Sequence, residues 1–183
     1  MKKLLVIVFA LGFFGTAQAQ FGARAGFSSA NFSDFDTDPL AGFHIGAYYK
    51  KDLGFISVEP GIQYSQKGFK NLMNGSPSTE KELLGYVDVP VLVRVNFLPF
   101  LNVFAGPQGS VLVSRKREFS DGSTESTTEP IKGYDIAGVV GVGANLPLGL
   151  NAQVSYDIGF QSANYYNQDV KNNVLKISLG YDF

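Results

Sequence analysis

The sequence contains no cysteine among its 183 residues, and this absence excludes several classes of site. Without a thiol there is no disulfide, no thiolate metal site and no cysteine to carry a lipid anchor. The chain also lacks a basic excess, since 15 basic residues accompany 16 acidic ones. We therefore expect neither a cysteine-based site nor a nucleic-acid partner.

Long apolar runs are missing everywhere except at the N-terminus. Lys2 and Lys3 precede an apolar run over 4–14, which is too short to span a bilayer as a helix, and small residues follow it up to Ala19. This order predicts a cleaved signal peptide at 1–19 and one mature domain at 20–183, with a buried N-terminal helix as the alternative. Loss of the two lysines changes the formal charge from -1 to -3. A mature chain without an apolar helix can cross a membrane only as a barrel.

The last ten residues, 174–183, alternate between apolar and polar. Strand side chains point to opposite sides with a period of two, so every second residue would share a face. The apolar face would consist of Leu175, Ile177, Leu179, Tyr181 and Phe183. A final strand of this kind in an exported chain is typical of a transmembrane β-barrel.

Seven earlier segments show the same period, and each ends at turn-rich sequence. The clearest is the fourth, in which all odd positions over 87–97 are apolar. Pro60 and Pro90 interrupt two segments, and at each we expect a bulge or a missing ladder bond. The fold class predicted is all-β: an up-and-down, eight-stranded antiparallel transmembrane β-barrel. The strands are expected at about 21–28, 42–50, 55–67, 84–97, 101–116, 134–146, 150–160 and 174–183.

The connections between these segments alternate in length. Those at 29–41, 68–82, 117–133 and 161–173 are long, and those at 51–54, 98–100 and 147–149 are short. Outer-membrane barrels have long extracellular loops and short periplasmic turns. We therefore predict a location in the cell outer membrane, with periplasmic termini and extracellular long loops. The third long loop is rich in Ser, Thr, Asp and Glu, which favours mobility, and its partner is unknown.

Aromatic residues make up 14% of the chain, and many lie near predicted strand ends. Rings of this kind form girdles where a barrel meets the lipid headgroups. One girdle is expected from Phe21, Tyr49, Phe55, Phe97, Tyr181 and Phe183, and the other from Phe27, Phe43, Tyr134 and Phe160.

Three segments resemble the PorT-like family of small outer-membrane barrels. They are VEPGIQYSQKG at 58–68, YVDVPVLVR at 86–94 and AGP at 105–107, and the two proline-containing segments are the most specific. The resemblance implies an eight-stranded outer-membrane barrel. It also implies that the barrel-assembly machinery inserts the chain through its C-terminal strand, which ends in Phe183. Members of the family usually have no assigned activity, and no motif transfers a secretion role to this chain.

The polar faces of the predicted strands carry charges of both signs. An eight-stranded barrel is just wide enough to be filled by side chains, so we expect these charges to pair as a plug. The alternative is a narrow path for ions or protons. With Lys67, the predicted interior network comprises Arg24, Glu59, Asp88, Arg94, Asp135, Asp157, Lys176 and Asp182.

Catalytic, cofactor and metal sites are not predicted. His44 is the only histidine and is expected to point inward, and no G-x-S-x-G motif accompanies it. Asp34, Asp36 and Asp38 resemble the start of a calcium loop, but Pro39 stands where that loop needs glycine. A solvated acidic loop is the simpler interpretation, with loose divalent-cation binding as its alternative.

The sequence thus predicts a monomeric, non-enzymatic outer-membrane barrel with a structural or surface-interaction role. It would contact outer-membrane lipid and lipopolysaccharide. Two other hypotheses remain: a narrow conduit for small solutes or protons, and a soluble periplasmic lipocalin-like carrier. The face that carries the apolar residues distinguishes them, because a carrier is apolar inside and a membrane barrel is apolar outside.

Overall fold

A computed structural model describes residues 19–32, 38–70, 79–119, 123–127, 134–160, 163–165, 168–170 and 172–183. Residues 1–18 of the predicted signal peptide lie outside these ranges, as do Asp34 and Asp36 of the acidic loop. In the described part of the chain, no helix is both long enough and apolar enough to cross a membrane.

Strands account for nearly all of the described residues. Eight of them are long enough to build a barrel, and they are β1 (Ala19–Phe32), β2 (Asp38–Asp52), β3 (Ile56–Lys70), β4 (Thr79–Leu98), β5 (Leu101–Phe119), β7 (Tyr134–Asn145), β8 (Leu150–Gly159) and β11 (Asn172–Asp182). Three are short, namely β6 (Thr124–Thr127), β9 (Ala163–Tyr165) and β10 (Gln168–Val170). A 3-10 turn, Pro147–Gly149, connects β7 to β8.

The eight long strands close into an antiparallel barrel. Neighbours in sequence pair with one another, β5 pairs with β7, and β11 pairs with β1 to complete the ring. Closure leaves no free barrel edge whose backbone groups lipid could not satisfy. The predicted fold is therefore confirmed.

The apolar residues face outward and the polar residues face inward. On β4, Val89, Val91 and Val93 are exposed, whereas Asp88 and Arg94 are buried. This is the facing that the period-two pattern predicts for β4. The interior is not wholly polar, however, because Leu92 lies inside the barrel with Phe104 and Val139 in a small apolar cluster.

The strands extend further than their alternation predicts. β4 begins at Thr79 and β5 ends at Phe119, and these two residues pair across the ladder. Charged residues interrupt the apolar alternation here, but backbone hydrogen bonds do not require it. The expectation of a loop throughout 117–133 is also wrong, because Thr124–Thr127 forms β6 on the edge of β5.

A β-bulge changes the facing of β5 near its end. Gly85 pairs with Ser114 and Tyr86 with Leu112, so Val113 is an extra residue in β5. Val113 and Ser114 are both exposed, and the following residue, Arg115, is buried. One inserted residue moves every later side chain to the opposite face.

The two prolines lie inside paired strands without shifting them. Pro60 is opposite Val91 and Pro90 is opposite Gln108, and the register is the same on both sides of each proline. Of the two expectations, a missing ladder bond therefore holds and a bulge does not.

Candidate functional site: the charged lumen

The barrel lumen holds a group of buried charges that we call the Glu59 layer, formed by Arg24, Glu59 and Arg94. Arg94 donates from Nε to Oε2 of Glu59 over 2.7 Å and from Nη2 to Oε1 over 2.9 Å. Arg24 donates from Nη1 to the same Oε1 over 2.8 Å. One carboxylate on β3 thus receives two guanidinium groups, one from β1 and one from β4.

Neutral groups hold the two arginines in place. Arg94 also donates to Asn102 over 2.9 Å and to Gln153 over 2.7 Å, and its guanidinium lies 4.3 Å from the centre of the Phe104 ring. Arg24 lies 4.2 Å from the centre of the Tyr48 ring. Aromatic faces favour such cations when water is excluded.

A second group, the Asp182 rim cluster, is formed by side chains of β2, β8 and β11 near the C-terminus. Lys50 contacts Asp182 over 3.3 Å, and the Tyr48 hydroxyl donates to the same carboxylate. Asn151 donates to Tyr48 over 2.7 Å and to Asp182 over 3.1 Å. Lys50 was missing from the predicted network, although the alternation of β2 places it on the inner face with Tyr48.

The third group, the Asp88 layer, lies further from the C-terminus and consists of Lys67, Asp88, Asp135, Asp157 and Lys176. Lys176 contacts Asp157 over 2.6 Å and Asp88 over 3.4 Å. Lys67 lies 3.6 Å from Asp88 and 3.9 Å from Asp135. All five side chains are buried, which strengthens their mutual attraction because little water screens it.

Polar side chains complete the Asp88 layer. Ser65 donates to Asp88, as does Gln63 over 3.2 Å, and Gln108 donates to Asp157 over the same distance. The structure thus brings the predicted interior charges into three groups, one at the rim and two in the lumen. Arg115 also points inward and was not predicted, because the bulge at Val113 reverses the facing that the sequence implies.

His44 lies beside the Asp88 layer and is almost completely buried. Its Nε2 is 2.8 Å from the Ser178 hydroxyl, and Ser178 is buried too. A histidine next to a serine resembles part of a hydrolytic site, but catalysis also requires room for a substrate at the serine. Within the ranges that the structure describes, no three histidine or carboxylate side chains are grouped as a metal site.

The space beside the Glu59 layer is small. Two cavities of about 10 Å³ each adjoin the Glu59 layer, and Arg24 and Glu59 line both. A volume of this order holds about one water molecule. A larger cavity of about 380 Å³ lies outside this layer, against Tyr64, Leu83 and Ser114 near β6.

The outer wall of the barrel is apolar around its circumference. On β11 the alternate residues of the predicted apolar face are all exposed, while Lys176 and Ser178 between them are buried. Aromatic rings meet at strand ends: Phe21 and Tyr49 have centroids 5.1 Å apart, and Tyr181 and Phe183 have centroids 5.3 Å apart. Wall and lumen therefore have the polarity expected of a barrel in lipid.

Known proteins share this architecture. Residues 16–165 match the family described as outer membrane protein beta-barrel domain. Among solved structures, Neisserial surface protein A (NspA) aligns with a TM-score of 0.58 at 14% identity, over 90% of this chain and 97% of that one. A major outer membrane protein from Thermus thermophilus aligns with a TM-score of 0.54 at 14% identity, over 91% and 100%.

A third similar structure is Ail, the attachment invasion locus protein of Yersinia pestis, in complex with the heparin analogue sucrose octasulfate. It aligns with a TM-score of 0.50 at 15% identity, over 90% of this chain and 97% of that one. At these identities the likeness concerns the fold. No curated protein matches the chain in sequence. The family match spans most of the barrel, and the chain therefore belongs to the outer membrane protein beta-barrel domain family, whose members are β-barrels of the outer membrane.

Proposed function

We propose that this protein is a non-enzymatic outer-membrane barrel with a lumen closed by paired side chains, and that it acts as a structural or surface-interaction protein. The observation that carries the proposal is the Glu59 layer, where one carboxylate ties β1 and β4 together across the lumen. Each of the two cavities described beside this layer has a volume of only about 10 Å³. A solute larger than water would have to break the ion pairs to pass.

The carrier hypothesis and the conduit hypothesis differ in how well they agree with the structure. A lipocalin-like carrier needs an apolar lumen around its ligand, whereas Glu59, Asp88 and Lys176 are buried inside this one. A narrow proton or ion conduit keeps one supporting observation, since the rim cluster, the Glu59 layer and the Asp88 layer all place charged groups in the lumen. The conduit is therefore the second candidate function.

The surface-interaction part of the proposal rests on strand length. β4 has 20 residues and β5 has 19, while about 9 to 11 residues cross a bilayer. The surplus, with β6 paired to β5, forms a sheet that would project from the membrane. With periplasmic termini this sheet is extracellular. The Ail structure holds a heparin analogue, and in our chain we propose the projecting sheet as the place of partner contact.

Several finer assignments belong to the same proposal. The protein would be a monomer in contact with outer-membrane lipid and lipopolysaccharide, and the barrel-assembly machinery would insert it through β11. The exposed apolar face of β11 and the exposed Phe183 that follows it support this route. Membership of the PorT-like family is a further hypothesis, supported by the proline-containing segments of β3 and β4.

Planar-bilayer recording tests the closed lumen. The full-length mature protein should show little or no steady conductance, because paired side chains fill its centre. The double variant Glu59→Ala/Arg94→Ala removes most of the Glu59 layer and should produce measurable conductance. Val91→Ala, on the outer wall, is the matched control and should stay closed. Stable large conductance from the unmodified protein would exclude the plug and favour the conduit.

A further inference from the structure

The Glu59 layer carries more positive than negative charge. Arg24 and Arg94 share the single carboxylate of Glu59, whereas Lys50 and Asp182 of the rim cluster pair with each other. Asp52 accepts a hydrogen bond from Ser57 and, in the described part of the chain, forms no ion pair with either arginine. One guanidinium charge in the layer thus lacks a matching carboxylate, and a buried charge of this kind is costly unless it is paired.

Arg24 is the arginine that has an unused hydrogen-bond donor. Arg94 donates from all three of its nitrogens, to Glu59, Asn102 and Gln153. Arg24 has a side chain that is 10% exposed, and its Nε is buried with no hydrogen-bond acceptor among the described residues. An N–H donor that is buried beside an excess positive charge favours an anion over a neutral group.

A cavity of suitable size adjoins this arginine. One of the two cavities of about 10 Å³ is lined by the cationic residues Arg24, Lys50 and Arg94, and also by Asn102, Asn151 and Gln153. Its size admits one particle of about the volume of water, so an organic anion does not fit. Glu59 and Asp182 border it as well, but each already contacts a cation.

We propose that this cavity binds one small inorganic anion of halide size, held by Arg24 and Arg94. The ion would neutralise the excess charge of the Glu59 layer and so stabilise the folded barrel. The inference rests on the closed lumen proposed above, because bulk water in an open lumen would screen the charge instead.

The test compares urea unfolding of the full-length protein in zwitterionic lipid vesicles in sodium chloride and in sodium gluconate, mixed at constant ionic strength. Gluconate is too large for the cavity. Chloride should stabilise the fold with a saturable dependence, and at ten times its dissociation constant it should raise the folding equilibrium constant about 11-fold. Bromide should act in the same way. Equal stability of the unmodified protein in chloride and gluconate would overturn the proposal.

Two variants locate the effect. Arg24→Gln leaves the Glu59–Arg94 pair neutral and should lose the chloride dependence. Lys116→Gln removes an exposed cation outside the lumen and should retain it. Chloride dependence that persists in Arg24→Gln would overturn the assignment to this cavity.

A direct measurement covers the case in which Arg24→Gln does not fold. The ³⁵Cl resonance should be broadened by the unmodified protein in vesicles and narrowed again by added bromide. No protein-dependent broadening would contradict the site. Absence of conductance together with equal stability in chloride and gluconate would refute the anion site alone, whereas stable large conductance would refute the closed lumen on which the site rests.

Discussion

Neutralising Glu59 is the sharpest perturbation that the lumen offers. The variant Glu59→Gln preserves the size of the side chain but leaves Arg24 and Arg94 without their shared carboxylate. Both guanidinium groups contact Glu59 at 2.7 to 2.9 Å, and Glu59 itself is 2% exposed. Little water can therefore reach the two arginines to replace the lost carboxylate.

The expected cost follows from the number of charges left without a partner. Removing one member of a buried ion pair lowers the free energy of unfolding by about 3 to 5 kcal/mol. Because Glu59→Gln strands two like charges, we expect a loss at or above the upper end of that range. Arg94→Met should cost less, since Glu59 keeps its contact with Arg24. The double variant Glu59→Gln/Arg24→Gln should recover part of the loss, because it removes the repulsion between the arginines.

Urea unfolding in lipid vesicles, followed by circular dichroism and tyrosine fluorescence, measures these differences in a chain without tryptophan. Glu118→Gln is the matched control, since its pair with Lys116 lies on the surface and should contribute less than about 1 kcal/mol. A Glu59→Gln protein as stable as the unmodified chain would refute the idea that this layer is a dry ion-pair cluster.

Three further predictions concern the wall, the interior and the topology. Val91→Arg places a charge on the lipid face and should lower the free energy of unfolding by about 2 to 4 kcal/mol, whereas Val91→Leu should be neutral in the same assay. Leu92→Gln buries an amide beside Phe104 and Val139 and should cost about 1 to 3 kcal/mol, while Leu92→Met should cost less than about 1.5 kcal/mol. A Leu92→Gln protein of unchanged stability would mean that this cluster contains water. Protease added to intact cells should cut within 118–129 and spare 98–100, and cleavage confined to 98–100 would reverse the proposed orientation.

The facing of most side chains could be predicted because it depends only on the period of the strand. Asp88 and Arg94 alternate with valines on β4, so their burial follows from the sequence. Strand ends could not be predicted in this way, since the ladder of β4 and β5 continues into charged sequence where the alternation is lost. Arg115 was missed for a related reason, because nothing in the residues around Val113 indicates an extra residue in the strand.

Which of the charged side chains contact one another could not be predicted from the alternation. Glu59 meets Arg24 and Arg94 because of the stagger of β1, β3 and β4 around the barrel, and Asp182 meets Lys50 for the same kind of reason. Alternation places all five in the lumen but does not determine which of them touch. Leu92 shows the converse limit, because an inward position on a polar face can still be filled by an apolar side chain when Phe104 and Val139 lie opposite.

The central claim is that this chain forms a closed barrel with its apolar face in lipid. Mobility on an SDS gel before and after boiling tests it most directly, because a closed ladder has no free edge from which unfolding can start. Protein folded in lipid vesicles should resist cold SDS and change its mobility only after boiling. Identical mobility in the two conditions, from a monomer that stays soluble without detergent, would contradict the account.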